Sequence, residues 1–264
     1  MRYIKIFYLT SQHVLEYKAR SFVWFLIALL NPLLLLLFWR GVTFTGTNHI
    51  KGWNISTITS YYLLITLANA FLTSHINEDI ARDDVRKGEL SIYLLKPISY
   101  FWKKFIEEIP YKVLQGCFGI IVTIILSFLL GEFFITNSIA IIVMAVLISI
   151  FAMLMSFTFK MILGLLSLWL IDIDGFFQLN EMFTLIFAGF VIPLYLFPPL
   201  LANIAYVLPY SYMIYFPIIA LQGKLTITQC LYVLGIQGMW LILFFYSYKY
   251  LWMNGKKKYS GAGQ

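Results

Sequence analysis

Long apolar stretches, separated by short polar or charged segments, run along most of the chain. Six of them are long enough to cross a membrane as helices, since about 30 Å of hydrocarbon requires roughly 20 residues. They lie at residues 21–44, 57–76, 109–130, 138–168, 176–197 and 229–252. The pattern therefore predicts an all-α polytopic membrane protein with six transmembrane helices in a single domain, residues 1–264.

Residues 1–20 follow a different pattern, in which apolar side chains such as Ile4 and Phe7 alternate with charged ones such as Lys5 and Glu16. Alternation of this kind suits an amphipathic helix that lies along the membrane surface. We therefore expect an N-terminal interfacial helix, the elbow helix, before the first span.

Composition and charge agree with a membrane protein, because 61% of the residues are hydrophobic and only 12% are charged. Of the 19 lysine and arginine residues, 16 fall on one side of the predicted spans and 3 on the other. Since basic residues favour the cytoplasmic side, we expect a cell-membrane protein with both termini in the cytoplasm. The net charge of +7 then reflects contact with anionic membrane lipid, and nucleic-acid binding is not expected.

The most charged segment is NEDIARDDVRKGELSIYLLKPISYFWKK, residues 77–104, between the second and third spans. Asn77 is a good N-cap, acidic residues follow it, and Gly88 can close the helix after basic residues in its last turn. These features predict one short, water-facing helix with a weak apolar side at Ile80, Ala81 and Val85. The alternative is an ordinary charged loop of the kind that any polytopic protein has on its cytoplasmic side.

Proline residues interrupt the apolar sequence near the end of the fifth predicted span and beyond it, at Pro193, Pro198, Pro199 and Pro209. Each removes a backbone N–H, yet the sequence around them is too apolar for a water-exposed loop. Non-helical backbone at membrane depth must be buried in protein or line a cavity. We therefore expect a re-entrant hairpin at the outer end. The alternative is an outer loop packed on the lipid headgroups, with tyrosines forming an aromatic belt.

The sequence contains no recognisable catalytic constellation. The stretch GVTFTGTN at residues 41–48 has Thr47 where a phosphate-binding loop needs lysine, and the three histidines are far apart. The chain is therefore not expected to be an enzyme or to hold a metal or cofactor. Glu181, near the start of the fifth span, is interpreted as a polar residue at the cytoplasmic end, with a proton relay as the alternative.

Three features together resemble the membrane subunits of type-2 ABC exporters: the run IARDDVRKGELSIYLLKPIS, the stretch GFVIPLYLFPPLLANIAYVLPYSYMIYFP and the spacing of six spans. Within that family the chain is most similar to a branch of six-span permeases. Their first cytoplasmic loop carries a glycine, an LLKP or LLRP tetrapeptide and a serine, here Gly88, residues 94–97 and Ser99. The resemblance extends over nearly the whole chain.

The resemblance implies two partners: an ABC ATPase, which would carry ATP and magnesium, and a second permease subunit, identical or homologous. It also implies that the loop between spans two and three bears a cytoplasmic coupling helix that docks on the ATPase. A re-entrant element between spans five and six is implied as well. The docking residues expected from the resemblance are Glu78, Asp79, Arg82, Asp83, Asp84, Arg86, Lys87, Gly88 and Glu89.

The predicted spans contain few ionisable residues and have aromatic and aliphatic walls with a few amides, such as Asn31, Asn69 and Gln115. Pathways for small ions usually need charges within the membrane, so an ion pump is not expected. The expected cargo is an amphipathic or hydrophobic compound, such as a drug, lipid or peptide, exported by alternating access. The alternative function is an ATP-independent secondary transporter or a channel-like membrane scaffold.

Overall fold

The computed structural model describes residues 2–45, 53–131, 133–170 and 172–259, and at residues 43–45 it describes only the backbone. The fold is all-helical over these residues. In chain order the α-helices are α1 (Arg2–Glu16), α2 (Lys18–Thr45), α3 (Ile55–Leu72), α4 (Ile76–Asp79), α5 (Leu90–Leu94), α6 (Tyr100–Leu130), α7 (Ile139–Leu165), α8 (Asp174–Phe187), α9 (Pro199–Val207), α10 (Pro209–Met213), α11 (Tyr215–Leu221) and α12 (Ile227–Lys258). A π-helical segment, Ile80–Arg86, follows α4, and 3-10 turns lie at Leu166–Leu168 and Leu194–Leu196.

Five helices in the described part of the chain are long and apolar enough to cross a membrane, and they correspond to the first four predicted spans and the sixth. Their bounds are Lys18–Val42, Ile55–Arg86, Tyr100–Leu130, Ile139–Leu168 and Ile227–Lys258. The unit Ile55–Arg86 comprises α3, a break at residues 73–75, α4 and the π-helical segment. Helix α6 begins at Tyr100 rather than near residue 109, because Lys103 pairs with Glu107 inside the helix.

The helices run between two ends of one bundle. The charged end carries α4, the π-helical segment, α5 and the last turn of α12, and there Arg86 pairs with Asp174 at 3.1 Å. The far end carries the starts of α3 and α12 and the end of α6. At that end the side chain of Gln222 donates from Nε2 to the carbonyl of Thr57 over 3.0 Å. The bundle therefore has a charged end and, opposite to it, a far end.

The fifth predicted span, residues 176–197, is not a continuous helix. Helix α8 has only 14 residues, a length of about 21 Å, and the chain then turns at Gly189, whose φ is 82°. The carbonyls freed by this turn are bound by α3, since Tyr61 OH donates to Gly189 and Tyr62 OH donates to Val191, both over 2.8 Å. Six full-length spanning helices are therefore not confirmed, because this part of the chain is a short helix followed by irregular backbone.

Helix α3 lies at the centre of the bundle. In the span that contains it, 67% of the most apolar window is buried within the protein, compared with 17–28% in the other four spans. Residues 61–65 are almost completely buried. Helices α7 and α12 pack along each other, and the buried Gln237 donates from Nε2 to the carbonyls of Ile148 and Tyr212 over 3.1 and 2.9 Å. The remaining long helices leave apolar faces exposed, as helices in contact with lipid do.

The proline-rich segment forms three short helices, α9 to α11, that pack into the core at the far end. Pro193 precedes a 3-10 turn and Pro198 precedes α9. Pro199 and Pro209 occupy the first positions of α9 and α10, where a missing N–H costs no helical hydrogen bond. Pro193 and Pro209 are buried, whereas Pro198 and Pro199 are exposed. Helices α10 and α11 are largely buried against α7 and α3, so this part of the segment is shielded by protein. Helix α9 is mostly exposed, with Ala205 as its buried residue.

Candidate functional site

The charged segment, residues 76–89, folds as a short helix. It starts as α4, continues as the π-helical segment and is closed by Gly88, whose φ of 82° is a conformation that glycine adopts easily. Asn77 is not the N-cap, contrary to the prediction from the sequence, since the N-cap is His75 and Asn77 is buried. Asn77 instead packs against α7, where a Cβ on Gly164 would lie 3.1 Å from the Cα of Asn77.

Most of the expected docking residues lie on the surface of this helix. The exposed residues are Glu78, Asp79, Arg82, Arg86, Lys87 and Glu89, and the partly buried ones are Asp83 and Gly88. Asp84 differs from all of them, since it is only 1% exposed. The structure therefore brings eight of the nine residues to a common, largely charged surface and withdraws the ninth from it.

Ion pairs connect the exposed charges to each other and to α8. Asp83 pairs with Lys87 at 2.8 Å, and Arg82 pairs with Asp79 at 3.2 Å and with Asp83 at 3.1 Å. Arg86 reaches Asp174 at the start of α8, also at 3.1 Å. Exposed pairs of this kind are worth about 0–1 kcal/mol each, so they organise the surface more than they stabilise the fold.

Asp84 forms a buried ion pair with α6. Its Oδ2 lies 2.7 Å from Nζ of Lys104 and accepts a hydrogen bond from the hydroxyl of Tyr100, while Oδ1 is buried without a hydrogen-bond partner. The ring of Tyr100 stacks on Trp252 of α12 with centroids 4.5 Å apart. Asp84 therefore does not lie on the exposed surface with the other expected docking residues, and it anchors the charged segment to α6 and, through Tyr100, to α12.

The buried role of Asp84 had a partial signal in the sequence. Asp84 follows Ile80 by four residues and Ala81 by three, so it lies on the same side of a helix as these two apolar residues. In the structure Ile80 is fully buried and Ala81 is 2% exposed. The carboxylate on the apolar side was therefore a candidate for an internal partner, although nothing in the sequence identified Lys104 as that partner.

Two further lysines attach α6 to the neighbouring elements of the charged end. Lys112 donates from Nζ to the carbonyl of Thr73 over 2.8 Å and lies 3.2 Å from Glu108. It therefore supplies a hydrogen-bond donor to a backbone carbonyl just beyond the C-terminal end of α3. Lys103 places its Nζ 4.0 Å from the ring centroid of Tyr93, which follows the charged segment on α5. Burial raises the pKa of Tyr93 above its usual range. The N-terminal part of α6 therefore contacts the chain both before and after the charged segment.

Glu181 contacts α7 near the same end of the bundle. Its carboxylate pairs with Lys160, which is 4% exposed, and the neighbouring Asn180 accepts a hydrogen bond from Tyr210 OH over 3.1 Å. The side chain of Glu181 is 46% exposed. A polar residue paired to a buried lysine agrees with a position at the end of the bundle, and no chain of further acids extends from it toward the far end among the described residues.

Comparison with known families agrees with the resemblance seen in the sequence. The family model for the ABC-2 family transporter protein matches residues 29–263, which include the charged segment, the proline-rich segment and most of the helical bundle. No curated protein matches the chain. The match and the five long apolar helices together show a multi-pass membrane protein of the permease type. The chain therefore belongs to the ABC-2 transporter family.

Proposed function

We propose that the chain is the transmembrane subunit of an ATP-driven exporter in the cell membrane, and that the charged segment is the coupling helix that docks on a separate ABC ATPase. In this arrangement the charged end and both termini lie in the cytoplasm, as the distribution of lysine and arginine favours. The observation that carries the proposal is the combination of an exposed charged surface with a buried anchor in the same short helix.

The anchor connects the exposed surface to three spanning helices. Ile80 packs on Gly164 of α7, at 2.8 Å from the position that a Cβ would take, so the two helices are in close contact. Asp84 pairs with Lys104 of α6, and Tyr100 stacks on Trp252 of α12. A rigid displacement of the charged segment by a partner must therefore move α6, α7 and α12, which is the coupling that alternating access requires.

The remaining parts of the architecture follow from the same orientation. We assign α1 to the cytoplasmic membrane surface as the elbow helix, because it packs on α6 and leaves Ile4, Tyr8 and Leu9 exposed. Arg2 donates from Nη1 to the carbonyl of Pro97 over 3.3 Å, which ties α1 to the charged end. We assign α9 to α11 to a re-entrant hairpin at the outer end, because α10 and α11 are largely buried and the exposed face of α9 is apolar, as a segment at membrane depth requires.

The partners and cargo follow from the family and the chemistry of the bundle. ATP and magnesium would be bound by the ATPase, and a second permease subunit, identical or homologous, would complete the pathway. Lys112 of α6 and Lys160 of α7 are each paired with a carboxylate. These two lysines are therefore not free to attract small ions, and an amphipathic or hydrophobic cargo is proposed.

Charge reversal tests the docking assignment. Glu78→Lys combined with Glu89→Lys changes two exposed charges and leaves the buried pair of Asp84 intact. The variant should insert and purify normally but should lose association with the ABC ATPase that copurifies with the unaltered chain from its native membrane. Like charges placed against a partner surface weaken binding without disturbing the fold of either protein.

The matched control is Glu16→Lys, which reverses one exposed acid at the end of α1, outside the charged segment. The control should retain the ATPase and its stimulated ATP hydrolysis. Full association of the double variant would show that the charged segment is an ordinary loop. If the unaltered chain carried no ATPase at all, the ATP-independent alternatives would be favoured.

A further inference from the structure

A wide cleft opens at the far end, away from the charged segment. It lies between α12, Trp53 and the helices α9 to α11, and its volume is about 1130 Å³. Aromatic side chains form much of its wall, including Trp53, Tyr206, Tyr232 and Trp240. Pockets for drug-sized ligands hold about 300–1,000 Å³ and are mostly apolar with a few polar groups. The far-end cleft has the size and lining of a ligand site.

Lys224 is the charged residue among those that line the far-end cleft. Its Nζ lies 3.0 Å from the ring centroid of Trp53, which is itself 3% exposed. Partial burial beside the aromatic wall lowers the pKa of Lys224 to about 8, while the residue as a whole remains accessible to solvent. An ammonium beside a low-dielectric wall attracts an anion more strongly than one in open water does.

The turn that carries Lys224 is held in place on two sides. Its backbone N–H donates to the carbonyl of Ile219 over 3.0 Å, and Thr136 donates to the carbonyl of Leu221 over 2.9 Å. Gly223, with a φ of 69°, packs on the side chain of Thr136. The ammonium is therefore presented to the cleft by a well-supported turn.

Charge distribution decides which ligand this cleft favours. Among the described residues no carboxylate lines it, since their aspartates and glutamates lie in α1, residues 78–89, the first turns of α6 and residues 172–181. A cationic ligand would meet a like charge, whereas an anionic ligand would meet an unpaired opposite charge inside an aromatic wall. The apolar body of the same ligand would lie on the tyrosine and tryptophan rings.

We propose that the far-end cleft binds an amphiphile with one anionic group, such as a carboxylate, sulfonate or phosphate, which pairs with Lys224 while the apolar body lies on the aromatic wall. The ligand is either an exported compound or an anionic phospholipid of the outer leaflet. Its role as a cargo site rests on the proposed export function, but binding itself does not require the ATPase.

The test measures quenching of tryptophan fluorescence in the purified full-length chain, in a neutral detergent at pH 7, by 12-bromododecane-1-sulfonate. Lys224→Gln should weaken sulfonate binding about tenfold or more, because the sulfonate loses its charged partner. Lys224→Arg should retain it. The uncharged 12-bromododecan-1-ol should bind the unaltered chain and Lys224→Gln equally well.

Two control variants locate the site, and a lipid competition identifies the source of the ligand. Lys249→Gln removes an exposed charge from the other end of α12 and should leave the sulfonate affinity unchanged. Ile236→Trp should fill the cleft and weaken binding of both bromo compounds. In nanodiscs of phosphatidylcholine, added phosphatidylglycerol will compete with the sulfonate if the ligand is a phospholipid and will not compete if it is a soluble amphiphile. Either result supports the anionic site.

Equal sulfonate affinities of the unaltered chain and Lys224→Gln would overturn the proposal. So would an equal loss of sulfonate and alcohol binding in Lys224→Gln, since the charge would then have no part in recognition. These outcomes are separate from the docking test. A chain that copurifies with its ATPase but shows no Lys224-dependent binding keeps the proposed function and loses only the far-end site.

Discussion

Asp84→Ala should destabilise the protein far more than its place in a charged helix suggests. The change leaves Lys104, whose side chain is only 8% exposed, without its carboxylate partner. It also removes the acceptor of the Tyr100 hydroxyl, which is buried with it. Breaking a buried ion pair by deleting one member costs about 3–5 kcal/mol, because the remaining charge stays desolvated and uncompensated.

The matched control is Asp174→Ala, which breaks the pair with Arg86 at the surface of the same end. Its side chains are 61% and 43% exposed, so the loss should be about 0–1 kcal/mol. At about 2–4 °C per kcal/mol for a chain of this size, Asp84→Ala should lower the apparent melting temperature by roughly 10 °C and the control by a few degrees at most. The assay is the loss of the monodisperse gel-filtration peak after heating in detergent.

A double variant separates the ion pair from the packing around it. Asp84→Ala combined with Lys104→Met removes both charges and should recover much of the stability lost in Asp84→Ala, because no unpaired charge remains buried. The reasoning would be refuted if Asp84→Ala melted together with Asp174→Ala. It would also be refuted if the loss of stability in the double variant equalled the sum of the losses in Asp84→Ala and Lys104→Met alone.

Three further predictions concern topology and packing. A single cysteine at Gly88 should be labelled only from the cytoplasmic side. A cysteine at Lys51, which lies outside the described residues, should be labelled only from the other side. Labelling of the cysteine at Gly88 from outside would contradict the orientation. In α9, a cysteine at Leu200 (72% exposed) should react with a membrane-permeant maleimide but poorly with a bulky aqueous one. A cysteine at Ala205 (0% exposed) should react with neither reagent. Rapid aqueous labelling of both would indicate a solvated loop. Gly164→Leu should displace the charged segment and reduce ATPase association, while membrane insertion persists. The reason is that even a Cβ at residue 164 would lie 2.8 Å from the Cβ of Ile80. Retained association would show that this contact does not position the segment.

The break after α8 shows where the sequence pattern was insufficient. Residues 176–197 are apolar enough for a span, and Pro193 was a visible warning near the end. The helix nevertheless ends at Phe187, before the proline, because Gly189 turns and the hydroxyl groups of Tyr61 and Tyr62 bind the freed carbonyls. Those tyrosines lie on α3, far away in the sequence, so no local reading could have included their contribution.

The candidate site was predictable as a helix but not as an anchored helix. Its charges and its closing glycine are local features, and Gly88 has the left-handed conformation that its position required. The partner of Asp84 is Lys104, which the sequence places in an amphipathic stretch with several other acids nearby. Which acid the lysine meets depends on how α6 packs beside the π-helical segment, and the same packing decides that Asp84 is buried.

Local sequence was enough to predict the membrane character of the chain, the approximate positions of the five long helices and the concentration of charge in one segment. These properties depend on local composition and on the length of apolar runs. Packing of the helices then decides which charges face outward and which are buried, where α8 ends, and that Lys224 meets Trp53 at the far end. These outcomes depend on side chains from separate helices, whose burial and hydrogen bonding exist only once the helices have packed.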